Sequence, residues 1–81
     1  MKTVDEIRAT TTRDDWFTDF RKNVGYAHYR FSGTITDKLV EMLGRTPTEE
    51  EIVNLVDDGL FNFGYTCRIV GRKFEGRVYT D

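Results

Sequence analysis

The stretch from Tyr65 to Tyr79, YTCRIVGRKFEGRVY, decides the fold class of this 81-residue chain. On both sides of Gly71-Arg72-Lys73, apolar and polar side chains alternate with a period of two, which is typical of strands with one buried face. The short basic segment between the two runs contains a glycine, as tight hairpin turns commonly do. The stretch therefore predicts a C-terminal antiparallel β-hairpin.

Upstream of the hairpin the apolar period changes to that of a helix. An apolar stripe from Ile35 to Leu43 follows a capping-box pattern at Thr34 and Asp37, and Gly44 closes it. A second stripe, 52–56, follows Thr46–Glu51, where a proline and three glutamates suit the first turn of a helix. These segments predict two consecutive helices before the hairpin.

The N-terminal part predicts a further helix and a strand. Trp16, Phe17, Phe20 and Val24 recur at helical spacing between the cap residue Thr12 and the terminator Gly25, which predicts a helix over residues 13–24. Residues 26–32 alternate and predict a strand. Thr3 and Glu6 form a capping-box pattern that predicts a short helical turn within residues 1–11. The predicted fold is α+β, in the order helix-strand-helix-helix-strand-strand, with three helices packed on a small antiparallel sheet.

Composition limits the classes of protein that this chain could be. Six Phe, four Tyr and one Trp supply core material for a single small domain, residues 1–81. One cysteine cannot form an internal disulfide, and no apolar run matches a signal peptide or a membrane span. We therefore expect an intracellular, cytoplasmic protein without a membrane partner; the sequence leaves its oligomeric state open.

Side chains for catalysis or metal binding are scarce. The chain has one His and one Cys, and two such singletons cannot supply the ligands of a zinc site. Cys67 could approach His28 across the sheet as a nucleophile and its base, but a small buried hydrophobe in the hairpin is the simpler interpretation of this cysteine. We expect no enzyme activity, no metal and no cofactor, and keep a Cys67-based enzyme as the weakest hypothesis.

The net charge of −2 hides two segments of opposite sign. The third predicted helix is acidic, and the hairpin is basic and interleaved with aromatic residues. We expect a partner-binding acidic face, extended by acids of the first helix, formed by Glu49, Glu50, Asp57, Asp58, Asp15 and Asp19. The alternative is a nucleic-acid-binding face formed by Arg68, Arg72, Lys73, Arg77 and Tyr65.

The predicted order resembles the winged helix-turn-helix family, most clearly over residues 36–60. The residues that carry the resemblance are Thr36-x-x-Leu39, Leu43-Gly44, Ile52-x-x-Leu55 and Asp58-Gly59-Leu60. The resemblance implies a third helix that reads DNA and a hairpin wing. The third helix departs from that pattern because between Glu49 and Asp58 it carries five acids and no Lys or Arg, so phosphates would repel it.

A shorter fragment, Phe63-Gly64-Tyr65, resembles part of the aromatic strand motif of RNA-recognition domains. Those domains arrange their strands and helices in a different order.

These observations support two main functional hypotheses. The leading one is a small non-catalytic protein that binds and modulates or inhibits a protein partner, in the manner of phage or mobile-element accessory proteins. Its acidic face would imitate nucleic acid or engage a host protein that binds nucleic acid. The alternative is a winged-helix-like regulator that binds nucleic acid through the basic hairpin.

Overall fold

A computed structural model describes residues 1–57 and 64–79 of the chain. It confirms the α+β class, the small antiparallel sheet and the C-terminal hairpin. The elements are α1 (Val4–Thr10), α2 (Arg13–Trp16), β1 (Phe17–Gly25), β2 (His28–Ile35), α3 (Asp37–Leu43), α4 (Glu49–Asp57), β3 (Gly64–Val70) and β4 (Lys73–Tyr79).

The four strands form one antiparallel sheet in the order β1-β2-β4-β3. Two hairpins, β1–β2 and β3–β4, are joined through their inner strands, with Tyr29 opposite Val78 and Gly33 opposite Phe74. The strands β1 and β3 therefore form the two edges of the sheet.

One face of the sheet packs against the helices and forms the core. Alternate residues of β2 and β4 point into it, as their burial pattern shows. Helix α1 supplies Ile7, which is completely buried, and α4 supplies four buried apolar residues. The buried strand and helix residues form a single cluster of Ile7, Trp16, Phe17, Tyr29, Phe31, Ile35, Leu39, Leu43, Ile52, Val53, Leu55, Val56, Phe74 and Val78.

The helix predicted over residues 13–24 is wrong beyond Trp16, because residues 17–25 form β1. In β1, Thr18 pairs with Thr34 and Arg21 with Ser32, so Asp19 and Phe20 share a single opposite residue. This β-bulge adds one residue to the strand, and Asp19 adopts a positive φ of 52° in it. The rings of Phe17 and Phe20 consequently stack on the same side, with centroids 5.7 Å apart, although they are three positions apart. In this bulged strand, apolar residues three positions apart lie on the same side, as they also do in a helix.

The helix starts also differ in detail from the predicted ones. Thr36, not Thr34, caps α3, because its hydroxyl accepts from the amide of Leu39 while Thr34 is still part of β2. Thr48 begins α4 with a capping box to Glu51, in which each residue's amide donates to the other's side chain. Pro47 therefore lies just before the cap and not inside the helix. No helix among the described residues is both long enough and apolar enough to span a bilayer.

Glu51 makes the strongest ion pair of this region. Arg45 donates from both terminal nitrogens to the two carboxylate oxygens of Glu51, at 2.6 and 2.8 Å. This bond from Arg45, followed by the amide of Thr48, lowers the pKa of Glu51 to about 2.

We expect Glu51 to make folding stability depend on acid pH. The folded pKa lies below the ordinary value of 4.5, so the unfolded chain binds the proton more tightly. The stabilisation is complete above about pH 5 and is lost as the pH falls toward about 2. Glu51→Gln should therefore flatten the acid limb of the unfolding free energy measured by urea titration. Glu41→Gln, an exposed helical control, should leave this limb unchanged; an unaltered limb in Glu51→Gln would contradict the assignment.

Candidate functional site

The face of the sheet that points away from the helices is open and polar. Register places its side chains in four rows across the strands, about 7 Å apart along each strand. In the order β1, β2, β4, β3 the rows are Gly25, His28, Tyr79, Gly64; then Asn23, Arg30, Arg77, Thr66; then Arg21, Ser32, Glu75, Arg68; then Thr18, Thr34, Lys73, Val70. We call this surface the open face.

The open face carries a strong excess of positive charge. Four arginines and one lysine face two acids, Glu75 and, at the bulge on the β1 edge, Asp19. Within residues 1–57 and 64–79 none of the five cations has a carboxylate within 4.0 Å. The described ion pairs all involve other cations. The unpaired cations of the open face are Arg21, Arg30, Arg68, Lys73 and Arg77.

Two of these cations lie directly opposite each other on the central strands. Arg30 of β2 pairs in register with Arg77 of β4. Like charges in this position destabilise a sheet, by roughly 0.2–1 kcal/mol relative to a neutral pair. Arg77 is also half-buried, which raises the cost of its charge. An arrangement that opposes local stability is characteristic of functional surfaces.

The bulge in β1 determines that Arg21 belongs to this face. Arg21 is four residues from the buried Phe17, so in a regular strand both would point to the same side. The extra residue at Asp19 reverses the alternation, and Arg21 comes to lie opposite Ser32. The bulge thereby extends the cationic surface to the β1 edge.

The cations surround a shallow depression. Its volume is about 570 Å³, and it is lined by side chains of all four strands, among them Arg21, Arg30, Arg68 and Arg77. An adjoining depression of about 600 Å³ continues toward Lys73 and Asp19. The surface is broad and open, and its shape suits an extended polyanion better than a small enclosed ligand.

Two rings occupy the first row of the open face. His28 and Tyr79 lie opposite each other on the central strands, and a glycine stands beside each of them on the edge strands. The Nδ1–H of His28 donates to the carbonyl oxygen of Tyr26 at 2.7 Å, because a carbonyl can only accept. A Cβ atom on Gly25 would lie 3.4 Å from Nε2 of His28, so this ring rests over the glycine.

The residues of the predicted nucleic-acid-binding face divide between three places. Arg68, Lys73 and Arg77 lie together on the open face. Arg72 lies in the turn between β3 and β4, where its guanidinium contacts the carboxylate of Asp37 at 2.9 Å. Tyr65 points to the helix side of the sheet and packs against the core.

The predicted acidic residues are distributed differently from the expected single face. Glu49 and Glu50 are exposed at the start of α4, near Tyr65. Burial raises the pKa of the Tyr65 hydroxyl, and the negative charges of Glu50 and Glu49 raise it further. Asp15 accepts from the Lys38 ammonium at 2.7 Å and caps α2. Asp19 lies in the bulge at the opposite sheet edge from Tyr65.

The two remaining acids lie at the end of α4. Asp57 is half-buried, and its Oδ2 has no hydrogen-bond partner among the described residues. Asp58 lies outside the residues that the structure describes.

Cys67 and His28 are not brought together. Cys67 alternates with the open-face residues of β3 and points to the helix side, whereas His28 belongs to the open face. Burial, with a smaller effect of Glu49, raises the pKa of the Cys67 thiol to about 12, so the reactive thiolate is disfavoured. No group of three or more metal-ligating side chains occurs within residues 1–57 and 64–79.

Arg21 and Arg30 are the site residues that the sequence did not identify. Arg30 was available as a polar position of the predicted strand 26–32, but its neighbour Arg77 is far away in the chain. Arg21 was assigned to the last turn of a helix that does not form. Only the β2–β4 pairing unites these residues with the basic hairpin.

Comparison of the chain with protein-family models, with curated proteins and with solved structures gives no match in any of the three. The resemblance to winged helix-turn-helix domains stays a prediction.

Proposed function

We propose that this protein binds nucleic acid through the open face of its sheet. The observation that carries the proposal is the set of five cations without a carboxylate partner in the described part of the chain, with Arg30 and Arg77 held opposite each other at the centre. A bound phosphate chain would relieve this repulsion and give each guanidinium an anionic partner. The proposal keeps the basic hairpin as part of the binding surface and adds the second hairpin to it.

The chemistry of the lining favours a polyanion over a folded protein partner. Four of the five cations are arginines, whose planar guanidinium bonds phosphate oxygens in pairs. Between them stand Asn23, Ser32, Thr34 and Thr66, which can hydrogen-bond to a phosphate or a sugar. Protein interfaces usually contain a contiguous apolar core, whereas the open face offers Val70 in its last row and the rings of His28 and Tyr79 in its first, with the cations between them.

Two neighbouring residues of β1 provide the sharpest test. Arg21 and Lys22 are both exposed, but Arg21 lies on the open face and Lys22 lies on the other side, with its ammonium 4.0 Å from the Tyr29 ring centroid. We expect Arg21→Glu to weaken binding of a labelled mixed-sequence oligonucleotide about 10-fold, since one charge-assisted contact contributes ~1.5–3 kcal/mol. Fluorescence anisotropy at about 0.15 M salt, where the Debye length is about 8 Å, measures the affinity.

Lys22→Glu is the matched control because it makes the same kind of charge reversal one residue away. It should leave the affinity within about 2-fold of the wild type, since distant charges are screened. Thermal unfolding of both variants checks that they are folded. Equal losses for the two variants would show that net charge, and not the open face, governs binding.

A protein partner for the acidic residues is the second candidate function. Glu49 and Glu50 are exposed, and neither forms an ion pair with any residue that the structure describes. They support the hypothesis of a partner-binding inhibitor, with α4 as the contact. Failure of the wild type to bind any oligonucleotide at low salt would make this the better account.

A further inference from the structure

We propose that the open face selects single-stranded nucleic acid, whose unpaired bases stack on the rings of His28 and Tyr79. This inference rests on the proposed function and specifies its ligand. A phosphate-binding surface alone would accept single strands and duplexes alike. The first row of the open face adds two accessible rings, and only unpaired bases can stack on them. Three features of the structure support this role.

The first feature is access to the two rings. His28 and Tyr79 are the central pair of their row, and the edge positions beside them are Gly25 and Gly64. A Cβ atom on Gly64 would meet no atom of the described residues within 4 Å. Among residues 1–57 and 64–79, therefore, no side chain of this row stands beside the rings, and Tyr79 is 38% exposed.

The second feature is the fixed position of the histidine ring. The bond from His28 Nδ1 to the Tyr26 carbonyl orients the imidazole before any ligand binds, and the ring lies over the space that a Cβ atom of residue 25 would adjoin. A ring that is already ordered loses little conformational entropy on stacking.

The third feature is the distance from the rings to the phosphate-binding groups. Arg30 follows His28 by two residues on β2, and Arg77 precedes Tyr79 by two residues on β4. The arginine pair is therefore one row, about 7 Å, from the ring pair on the same face. A splayed nucleotide can place its base on a ring and its phosphate on the guanidinium beside it.

A duplex cannot use this arrangement. Its bases are already paired and stacked on each other, so their flat faces cannot reach the rings of His28 and Tyr79. The arginines would still contact a duplex backbone. We therefore expect weak duplex binding through phosphates alone and tighter binding of single strands.

The test compares four probes of equal length on the full chain: single-stranded RNA, single-stranded DNA, the corresponding DNA duplex, and a single strand of abasic sites. The two single strands share unpaired bases on a phosphate chain, and their comparison shows whether the sugar matters. The abasic strand retains the phosphates and lacks the bases. Variants are Tyr79→Leu, which removes the ring, and Tyr79→Phe, which retains it.

We expect the wild type to bind at least one of the single strands about 10-fold more tightly than the duplex or the abasic strand. This factor corresponds to the affinity that the loss of one stacked base removes. Tyr79→Leu should remove this preference without changing duplex affinity, and Tyr79→Phe should preserve it. Tyr79→Leu should also leave the salt dependence of binding unchanged, because no phosphate contact is lost.

Three outcomes overturn the inference and can be told apart. Equal affinity of the wild type for single strands, duplex and abasic strand would remove the stacking role and leave the proposed function standing. Binding of none of the four probes at low salt would reject the proposed function and the inference together. A loss of affinity for all probes in a folded Tyr79→Leu variant would show that the ring only supports the surface, and would also overturn the stacking role.

Discussion

Replacing Gly76 with alanine is expected to lower the free energy of unfolding by about 3 kcal/mol or more, the upper range for overpacking a core. Gly76 lies opposite Phe31 in the central strand pair. A Cβ atom there would lie 2.6 Å from the Phe31 ring and would also collide with the backbone carbonyl oxygen of Thr66. The collision with Thr66 involves the β3 backbone, so it cannot be relieved by a side-chain rotation. A domain of this size has a stability of only about 5 kcal/mol or somewhat more, so the loss is severe.

Urea denaturation followed by tryptophan fluorescence measures this effect, because Trp16 belongs to the same core. Gly25→Ala is the control, since a Cβ atom at Gly25 has its nearest contact at an ordinary 3.4 Å. The control should change the unfolding free energy by about 0.5 kcal/mol or less. Equal stability of Gly76→Ala and the wild type would mean that β3 and β4 do not pair in the register described.

The second large effect concerns the central arginines. The double variant Arg30→Gln/Arg77→Gln is expected to bind single-stranded nucleic acid at least about 100-fold more weakly, since two charge-assisted contacts of ~1.5–3 kcal/mol each are lost. The slope of log affinity against log salt should fall by about 1.4, at ~0.7 per phosphate on a single strand. Anisotropy titrations at several salt concentrations measure both quantities.

The same double variant should gain stability. Arg30 and Arg77 are opposite like charges, and removing the repulsion should raise the free energy of unfolding by a few tenths to ~1 kcal/mol. Opposite signs for binding and stability are the mark of residues retained for function. A fall in stability would instead show that the arginines stabilise the sheet.

Arg13→Gln/Lys22→Gln is the matched control for this experiment. It removes the same charge from cations that lie over aromatic rings away from the open face, Arg13 over Phe20 and Lys22 over Tyr29. The control should lose some stability with its cation–π contacts and bind nearly as tightly as the wild type. Comparable losses of affinity in both double variants would remove the special role of the central pair.

Local patterns predicted those parts of the fold whose signals are local. The alternation around Gly71 defined the β3–β4 hairpin, and the stripe 52–56 with its glutamates defined α4. β1 was missed because its bulge separates Phe17 and Phe20 by three residues on one face, which is also the spacing of a helix. A single sequence contains no sign of such a bulge.

The sequence predicted only the part of the candidate site that lies on the β3–β4 hairpin. The hairpin made Arg68, Lys73 and Arg77 recognisable as a basic group, but their partners Arg21 and Arg30 come from the other hairpin. The pairing of β2 with β4 joins residues that are distant in the chain, and periodicity within each strand contains no information on which strands become neighbours.

The bulge in β1 also restricts which insertions and deletions this protein can accept. The strand serves two surfaces: Phe17 belongs to the core and Arg21 to the open face, and the extra residue at Asp19 allows both. Loss of one codon from this segment would turn either Phe17 outward or Arg21 inward, whereas loss or gain of two codons preserves the alternation. Length changes in β1 that keep both surfaces should therefore come in pairs of residues.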